Sequence, residues 1–530
     1  MKKLLFFLLA ITLMGVIVLA GCGEPTASPT PGGTPTATAG QPVKGGTLRV
    51  VAGAISKVVG YPPEFAPADS IYMQPVLERL VIWNDKGELT GVLAESWEGD
   101  AQSLTVTWHL RKNVKFHDGT DFNAEALRWN YQLLIDNARL TDAANVESLE
   151  VVDEHTLRMH LKAFSWMAFE NYGLTMPISP TAFNNAGAGD IEKSKEWARI
   201  NAVGTGPFKL AEFQRDVVLK FVKNDNYWQA GLPYLDGIDI NYIPDPMISA
   251  AKMEAGEADM WVDASAVQNI LDLQEKGLKI NWGPGMFMSL LPNSADPNSP
   301  LNNKLVREAI EYAIDRPTIA QMLGQGLYEP LKQMAPSAWP GYVQGFDPRP
   351  YSQAKARELL EQAGFKDGFT VKVMATEQAR DALAAIQANL GEVGIIVEPD
   401  VADMSRYFGS LFITGWTGNE LIYTASGINP STTDLFIHYG PSPMTFRTGN
   451  IFKTPEYLAA CNAALDPSYK SVAEALPKVK EAIRQGGEDA IIVPLWRTCN
   501  VAIMQTYVQS DYFKIHGIIW TPADDWMETH

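Results

Sequence analysis

Apolar residues at every second position predict strands at several points of the chain. They alternate with polar residues from Leu104 to Leu110, the pattern of a strand with one buried face, and Asp118-Gly119 then supplies turn chemistry. Thr47 to Ala52 and Thr156 to Leu161 are further predicted strands. The chain is therefore predicted to contain strands that each pack one face against an apolar core.

Apolar residues at helical spacing predict helices between strands in the second half of the chain. They form one stripe from Leu305 to Ile314, as expected of a helix that faces a core. Ser352 can cap a helix that covers 353–363 and ends at Gly364, and a strand follows. Helix and strand alternate again over 378–397. This order predicts a mixed α/β fold.

Length and composition predict a large packed interior. The segment from Lys44 to His530 is too long for one core and predicts two or three subdomains. Apolar residues make up 46% of the chain and aromatic residues 10%. Lys and Arg number 43 against 61 Asp and Glu, and the basic residues form no cluster. This balance argues against nucleic-acid binding.

The amino terminus has the pattern of an export signal. Lys2 and Lys3 precede an almost wholly apolar run from Leu4 to Ala20. The small residues before Cys22 resemble a bacterial lipobox, in which a lipid is attached to the cysteine thiol and cleavage makes it the first mature residue. We therefore predict a signal peptide over 1–21 and lipidation of Cys22. An uncleaved membrane helix is the alternative.

A segment rich in Pro, Thr and Gly follows the predicted lipidation site. Residues 22–43 contain almost no large apolar side chains, so they cannot offset the entropy of becoming ordered. We predict a flexible tether that holds the folded part away from a membrane. Of the remaining cysteines, Cys461 and Cys499 could pair or stay as thiols, and the sequence leaves both options open.

Motifs typical of catalysis are absent from the sequence. It has no GxSxG elbow, no GxxxxGK phosphate loop and no complete GxGxxG. The seven histidines form no HExxH or other close ligand pattern, so we predict no metal and no cofactor. The protein is therefore predicted not to be an enzyme. An extracellular glycoside hydrolase is one alternative, because two of the many acidic residues could flank a glycosidic bond.

Several separated sequence words resemble the large extracytoplasmic solute-binding proteins of ABC importers, family 5, the dipeptide, oligopeptide and nickel type. Together they cover nearly all of the predicted mature chain. The words are LAESW at 93–97, HLRKNVKFHDGT at 109–120, GTGPF at 204–208, NDNYW at 224–228, VREAI at 306–310 and YAIDR at 312–316.

This resemblance implies a two-lobed, periplasmic-binding-protein-like α/β fold of type II, cluster C, with an extra subdomain inserted in the first lobe. Two strand-like crossings near 284–291 and 491–496 would connect the lobes, and Gly283 and Gly285 are placed to absorb a closing motion. The expected bounds are 44–65, 200–285 and 490–530 for the first lobe, 66–199 for the insertion and 286–489 for the second lobe.

The function that the resemblance implies is capture of a solute between the lobes. The protein would be a monomeric, lipid-anchored receptor on the outer side of the cell membrane, with an ABC permease and an ATPase as partners. Peptides are the expected ligands of the family. An oligosaccharide receptor of the same family is an alternative, and so is a sensory binding protein.

One segment resembles a known ligand contact. Peptide-binding members carry a tryptophan followed three residues later by an aspartate that pairs with the amino terminus of the peptide. Here Trp416 is followed by Asn419, whose neutral amide cannot neutralise an ammonium group. The resemblance therefore implies a weaker preference for peptides with a free amino group. A simple loop role for Asn419 is the alternative.

Other candidate contacts are aromatic or amide residues near the expected cleft. Each of them could instead be a core residue, because large aromatic side chains are commonly buried. Arg406 and Arg447 could bind a carboxylate or be ordinary surface charges. The predicted ligand contacts are Tyr61, Trp166, Phe287, Asn293, Trp416, Asn419, Tyr423 and Trp496.

Overall fold

The structure is a computed structural model. The predicted signal peptide, Cys22 and most of the predicted tether lie outside the residues that it describes. Within the described ranges no helix combines the length and the apolarity needed to cross a bilayer. The described residues are 41–65, 69–84, 87–426, 436, 438–441, 449–512 and 520–528.

The strands confirm the predictions made from alternating residues. Those predicted at 47–52 and 156–161 are found with the same bounds, and the one predicted at 104–110 begins one residue later. The strands are β1 Thr47–Ala52, β2 Val81–Trp83, β3 Leu89–Gly91, β4 Ala94–Asp100, β5 Thr105–Leu110, β6 Val146–Asp153, β7 Thr156–Leu161, β8 Phe208–Gln214, β9 Val218–Lys223, β10 Gly237–Tyr242, β11 Met260–Val262, β12 Lys279–Pro292, β13 Glu329–Pro330, β14 Phe369–Ala375, β15 Ile395–Val401, β16 Leu421–Ser426, β17 Val493–Met504, β18 Val508–Gln509 and β19 Trp526–Met527.

The helix predicted at 353–363 begins at the capping residue that the sequence indicates. The Ser352 side chain accepts from the backbone N–H of Lys355, which confirms the predicted cap. The helices are α1 Asp69–Met73, α2 Ala124–Asp136, α3 Ala168–Gly173, α4 Pro180–Gly187, α5 Ile191–Ile200, α6 Pro246–Glu254, α7 Val267–Glu275, α8 Lys304–Ala313, α9 Arg316–Gly324, α10 Gln353–Gln362, α11 Arg380–Gly391, α12 Met404–Gly409, α13 Pro455–Ala464 and α14 Val472–Glu488.

One mixed sheet combines strands from distant parts of the chain. Its order is β15-β14-β16-β12-β17-β11-β1-β10-β9-β8, and β13 pairs with β17 beside this path. The long antiparallel strands β12 and β17 lie in the middle, with partners that run from Lys279 and Met504 to Leu290 and Val493. The segments predicted as crossings, 284–291 and 491–496, overlap these two strands, and their role as connections between lobes stays a prediction.

Glycine is required where these two central strands come close. A Cβ atom at Gly285 would lie 2.5 Å from Oγ1 of Thr498 and 2.6 Å from its backbone carbonyl oxygen. The pairing of β12 with β17 is also interrupted between Pro284 and Phe287. An irregular ladder can bend more easily than a regular one. The hinge role of Gly283 and Gly285 stays a prediction.

A separate sheet lies in the segment predicted as an insertion. It has the order β4-β5-β7-β6, and α2 packs against β6 and β7. Trp108 on β5 is fully buried in the core of this sheet. Asn123 caps α2 by accepting from the backbone N–H of Ala126 at 3.0 Å. The insertion thus has its own apolar core, which agrees with a two-lobed fold that carries an extra subdomain.

The sequence words GTGPF and NDNYW have structural roles. A Cβ atom at Gly204 would lie 2.1 Å from the carbonyl oxygen of Val76, so this close approach of two backbones requires glycine. Tyr227 donates to the Glu78 carboxyl group at 2.7 Å, and the Trp228 indole N–H donates to it at 3.0 Å. Both words therefore fix the contact between segments 74–79 and 204–228.

The words VREAI and YAIDR contribute a buried ion cluster. Glu311 lies 3.3 Å from Nη2 of Arg316 and 3.0 Å from Nη2 of Arg349. Arg316 also donates to the carbonyl oxygen of Pro494, and Arg307 donates to that of Ala490. The cluster therefore ties α8 and α9 to the segment that leads into β17.

The two described cysteines are both free thiols. Cys461 is buried and Cys499 is partly buried. Burial raises the pKa of each thiol to about 11, so both remain protonated at neutral pH. The structure therefore supports the option in which the two thiols stay unpaired.

Candidate ligand-binding site

A cavity of about 1140 Å³ lies beside the two central strands. Met288 on β12 and Trp496 on β17 line it. Ser265 and Val267 come from the turn after β11 and the start of α7. Most of the other lining residues belong to segments 323–328, 376–382 and 404–426. The lining residues are Ser265, Val267, Met286, Met288, Leu323, Tyr328, Thr376, Gln378, Ala379, Asp381, Ala382, Met404, Tyr407, Phe408, Leu411, Phe412, Tyr423, Thr424, Ala425, Ser426, His438, Trp496 and Thr498.

The most apolar wall is built by α12 and the π-helical turn that follows it at Ser410–Thr414. Asp403 starts α12 by accepting from the backbone N–H of Arg406 at 2.9 Å. Helical spacing then places Met404, Phe408 and Phe412 on one face, four residues apart. This face points into the cavity.

The aromatic rings of the cavity form a continuous series. The Tyr423 and Trp496 rings lie 6.2 Å apart, and the Tyr407 hydroxyl donates to the carbonyl oxygen of Tyr423 at 3.1 Å. The Tyr407 and Phe408 rings are 5.5 Å apart, and the Phe408 and Phe412 rings stack at 5.9 Å. Such a surface can hold planar or apolar groups with little loss of side-chain entropy.

The polar groups of the cavity are mostly uncharged. Burial raises the pKa of Tyr423 and of Tyr328, so both phenols keep their protons. Among the described lining residues, Asp381 and His438 are the others that can carry charge, and Asp381 is exposed. The described lining contains no lysine or arginine. The site therefore suits hydrogen bonding and apolar contact more than ion pairing.

Two predicted ligand residues line the cavity. Tyr423 is on β16, and Trp496 is on β17. The sequence indicated them only as aromatic residues near the expected cleft.

Four other predicted contacts lie outside this lining. Tyr61 stacks on Phe183 in a core of the β1 half, and Phe287 stacks on Trp339 in a core of the other half. Asn293 accepts from the Asn450 amide.

Trp166 is the fourth of these residues. Its indole N–H donates to the carbonyl oxygen of Ala464 at 3.0 Å, and its ring meets Phe436 edge to face. The side chains of Tyr61, Phe287, Asn293 and Trp166 therefore contact other protein groups in this structure.

Trp416 and Asn419 also lie away from the cavity. They precede β16, whereas the cavity is lined by the last four residues of that strand, Tyr423 to Ser426. Trp416 is fully buried in a core, and Asn419 is 5% exposed and donates to Asp400 at 3.1 Å. The ligand roles of these two residues remain predictions without support from the cavity geometry.

Arg406 and Arg447 were the two candidates for binding a carboxylate. Arg406 is held by the Asp400 carboxylate at 2.5 and 2.9 Å, and this contact lowers the pKa of Asp400. With Asn419 it borders a smaller polar cavity of about 650 Å³. Arg447 lies outside the described residues. Arg406 is therefore already paired.

The sequence interpretation missed the aromatic wall on α12. Met404, Phe408 and Phe412 show a stripe at helical spacing, which normally indicates a core face. Here these side chains are 48%, 46% and 41% exposed. The available signal in the sequence was that the apolar pattern continues beyond the stripe to Ile413. In the structure Ile413 is 72% exposed.

The side chains that commonly bind metal ions are those of His, Cys, Asp and Glu. Among the described residues, His, Cys, Asp and Glu form no group of three or more with suitable geometry. The expected absence of a bound metal stays a prediction.

Comparison with known proteins gives consistent matches. Residues 88–434 match the family model for bacterial extracellular solute-binding proteins, family 5 Middle. The glutathione-binding protein GsiB of Shigella flexneri is 30% identical over 403 residues, covering 72% of this chain and 77% of that protein. These relatives are binding proteins of ABC importers and not enzymes.

Solved structures agree on the fold. The periplasmic binding protein DppA from Helicobacter pylori, in complex with the peptide STSA, has a TM-score of 0.75 and 22% identity. The match covers 92% of this chain and 99% of that chain. NikA from Brucella suis, in complex with Fe(III)-EDTA, has a TM-score of 0.75 and 21% identity, covering 92% of this chain and all of that one. The chain belongs to the bacterial extracellular solute-binding proteins of family 5.

Proposed function

We propose that this chain is the lipid-anchored solute-binding subunit of an ABC importer. It acts as a monomer, captures a peptide or a similar organic solute, and delivers it to a permease that a separate ATPase drives. The observation that carries the proposal is the cavity at the central strands, whose lining combines Val267 at the start of α7, just after β11, with Tyr407 on α12 and Tyr423 on β16.

The proposed lobes follow the order of the strands in the large sheet. The first lobe comprises 44–65, 200–285 and 490–530, with 66–199 inserted, and the second comprises 286–489. This division is supported by the position of β12 and β17 between the two groups of strands. A solute that contacts both lobes stabilises the closed arrangement over the open one, and the permease recognises the closed form.

Peptides are the first candidate for the solute. Their backbone amides can bond to the hydroxyl groups of the cavity, and one relative and one structural neighbour are named with peptide ligands. Oligosaccharides are the second candidate, because the stacked faces of Phe408 and Phe412 also suit sugar rings.

The test is identification of the bound solute and of closure. The protein is purified gently, and any molecule that it carries is identified by mass spectrometry. Small-angle scattering is then recorded with a broad panel of peptides and oligosaccharides. We expect at least one solute to reduce the radius of gyration. Scattering curves that stay unchanged across the whole panel would contradict the proposal.

The lipid anchor rests on the sequence pattern before Cys22. Two acyl chains would hold the protein stably, since each buried methylene contributes about 0.8 kcal/mol. We expect mass spectrometry of the amino-terminal peptide to find a lipid on Cys22, and the Cys22→Ala variant to appear in the soluble extracellular or periplasmic fraction. An unmodified Cys22 within an uncleaved signal would show that the anchor is a membrane helix.

A further inference from the structure

The cavity offers no described cation to an anionic ligand. Each arginine next to a lining residue in the sequence is already paired with a carboxylate outside the lining. Arg380 donates to Glu377 at 2.7 Å, and Arg406 is held by Asp400. Arg497 lies 2.8 Å from Glu329. An anionic group that enters would have to displace one of these pairs or remain unpaired.

An unpaired carboxylate is unfavourable in this cavity. Its wall is largely aromatic and aliphatic, and such surroundings do not replace the water that a carboxylate loses on entry. A cation has two favourable partners instead. Asp381 is a carboxylate at the cavity wall, and the exposed ring of Phe408 attracts positive charge.

The apolar wall is unusually exposed for residues of its type. Met404, Phe408 and Phe412 keep 41–48% of their surface accessible, and Met286 on β12 keeps 37%. Contiguous exposed apolar surface commonly marks a binding site. Methionine side chains adapt to ligands of different shape. A ligand with an apolar or aromatic moiety would therefore bury surface that the protein leaves open to water.

We infer that the cavity binds organic solutes with an aromatic or aliphatic moiety that are uncharged or cationic, and that it rejects anionic solutes. This inference rests on the proposed function, because it specifies the solute class of the same cavity. It also separates this chain from a relative that is named for binding glutathione, a tripeptide with two carboxylates and one ammonium group.

The experiment compares four peptides by isothermal titration calorimetry with the purified mature protein. The probes are Phe-Leu-Phe amide, Phe-Leu-Phe with a free carboxylate, Ala-Ala-Ala amide and glutathione. We expect Phe-Leu-Phe amide to bind at least tenfold more tightly than either the free acid or Ala-Ala-Ala amide. Glutathione should show no binding at millimolar concentration.

Variants assign the effect to the cavity. Phe408→Ala and Phe412→Ala should each weaken binding of Phe-Leu-Phe amide by at least fivefold. Phe452→Ala is the matched control, because Phe452 is also 46% exposed but does not line the cavity, and its variant should bind as the wild type does. Asp381→Asn should weaken the cationic amide more than its uncharged N-acetyl derivative.

Two outcomes would overturn the inference in distinguishable ways. If glutathione or another anionic peptide binds most tightly and closes the protein in scattering, the inference is wrong and the proposed function stands. If no probe in this set or in the broad panel binds, the inference and the proposed function both fail.

Discussion

At the residue scale, a buried glutamate makes the stability of the fold depend on pH. Glu78 is 9% exposed and accepts hydrogen bonds from Tyr227 and Trp228. Burial raises its pKa from an ordinary 4.5 to about 7, against the opposing effect of these two donors. The folded protein therefore holds a proton on Glu78 between about pH 4.5 and 7, whereas the unfolded chain has released it.

We expect Glu78→Gln to remove this dependence. The wild type loses up to about 3 kcal/mol of stability as the pH rises from about 4.5 to 7, because over this range the unfolded chain ionises Glu78 and the folded protein does not. The amide of the variant does not ionise. Urea unfolding at pH 5, 6, 7 and 8 should show the free energy of unfolding of the variant rising relative to that of the wild type from pH 5 to 7 and levelling off by pH 8. Glu95→Gln, at an exposed position, is the control and should shift nothing. A constant difference between Glu78→Gln and wild type would contradict this account.

At the element scale, the segment between β7 and α3 joins the insertion to a core of the other half of the molecule. Trp166 and Met167 in this segment pack into the core that contains Phe436 and Ala464. The hydrogen bond from the Trp166 indole to Ala464 spans 298 positions of sequence. One short loop thus connects two cores that the sequence places far apart.

We expect substitution of Trp166 to separate the ring contact from the hydrogen bond. Trp166→Phe keeps a ring and loses the N–H donor, which should reduce the free energy of unfolding by about 1 kcal/mol. Trp166→Ala also creates a cavity and should reduce it by about 3–5 kcal/mol. Denaturant unfolding measures both values. Equal losses in the two variants would show that the indole ring contributes little packing.

At the scale of the whole molecule, net charge affects how solutes reach the cavity. The formal net charge is -18, so the mean field around the protein attracts cations. Salt screens this field, with a Debye length of about 8 Å at physiological ionic strength. The negative net charge thus favours cationic solutes. The described cavity lining, which contains no lysine or arginine, favours the same class.

We expect the association rate to depend on ionic strength for cationic solutes only. The association rate constant of Phe-Leu-Phe amide should fall severalfold between 20 mM and 500 mM NaCl. The rate constant of its uncharged N-acetyl derivative should change by less than twofold. Stopped-flow tryptophan fluorescence can follow both, since Trp496 lies in the cavity lining. Equal salt dependence for the two peptides would show that the field does not guide binding.

The sequence by itself determined the local elements, their class and the family. Alternating residues and capping side chains are local signals, so β1, β5, β7 and α10 were predicted with bounds within about one residue. The family words were also readable, although residues such as Gly204, Arg316 and Trp228 prove to maintain the fold and do not line the cavity.

Only the tertiary structure decided which aromatic side chains face the cavity. Trp416 is flanked by small and polar residues yet is fully buried, whereas Phe408 belongs to a core-like stripe and is 46% exposed. Periodicity identifies the apolar face of an element but not what lies opposite that face. The apolar face of α12 lies against the cavity, which is also lined by Val267 and Tyr423. Pairing of strands from distant parts of the chain brings these two residues together across more than 150 positions of sequence.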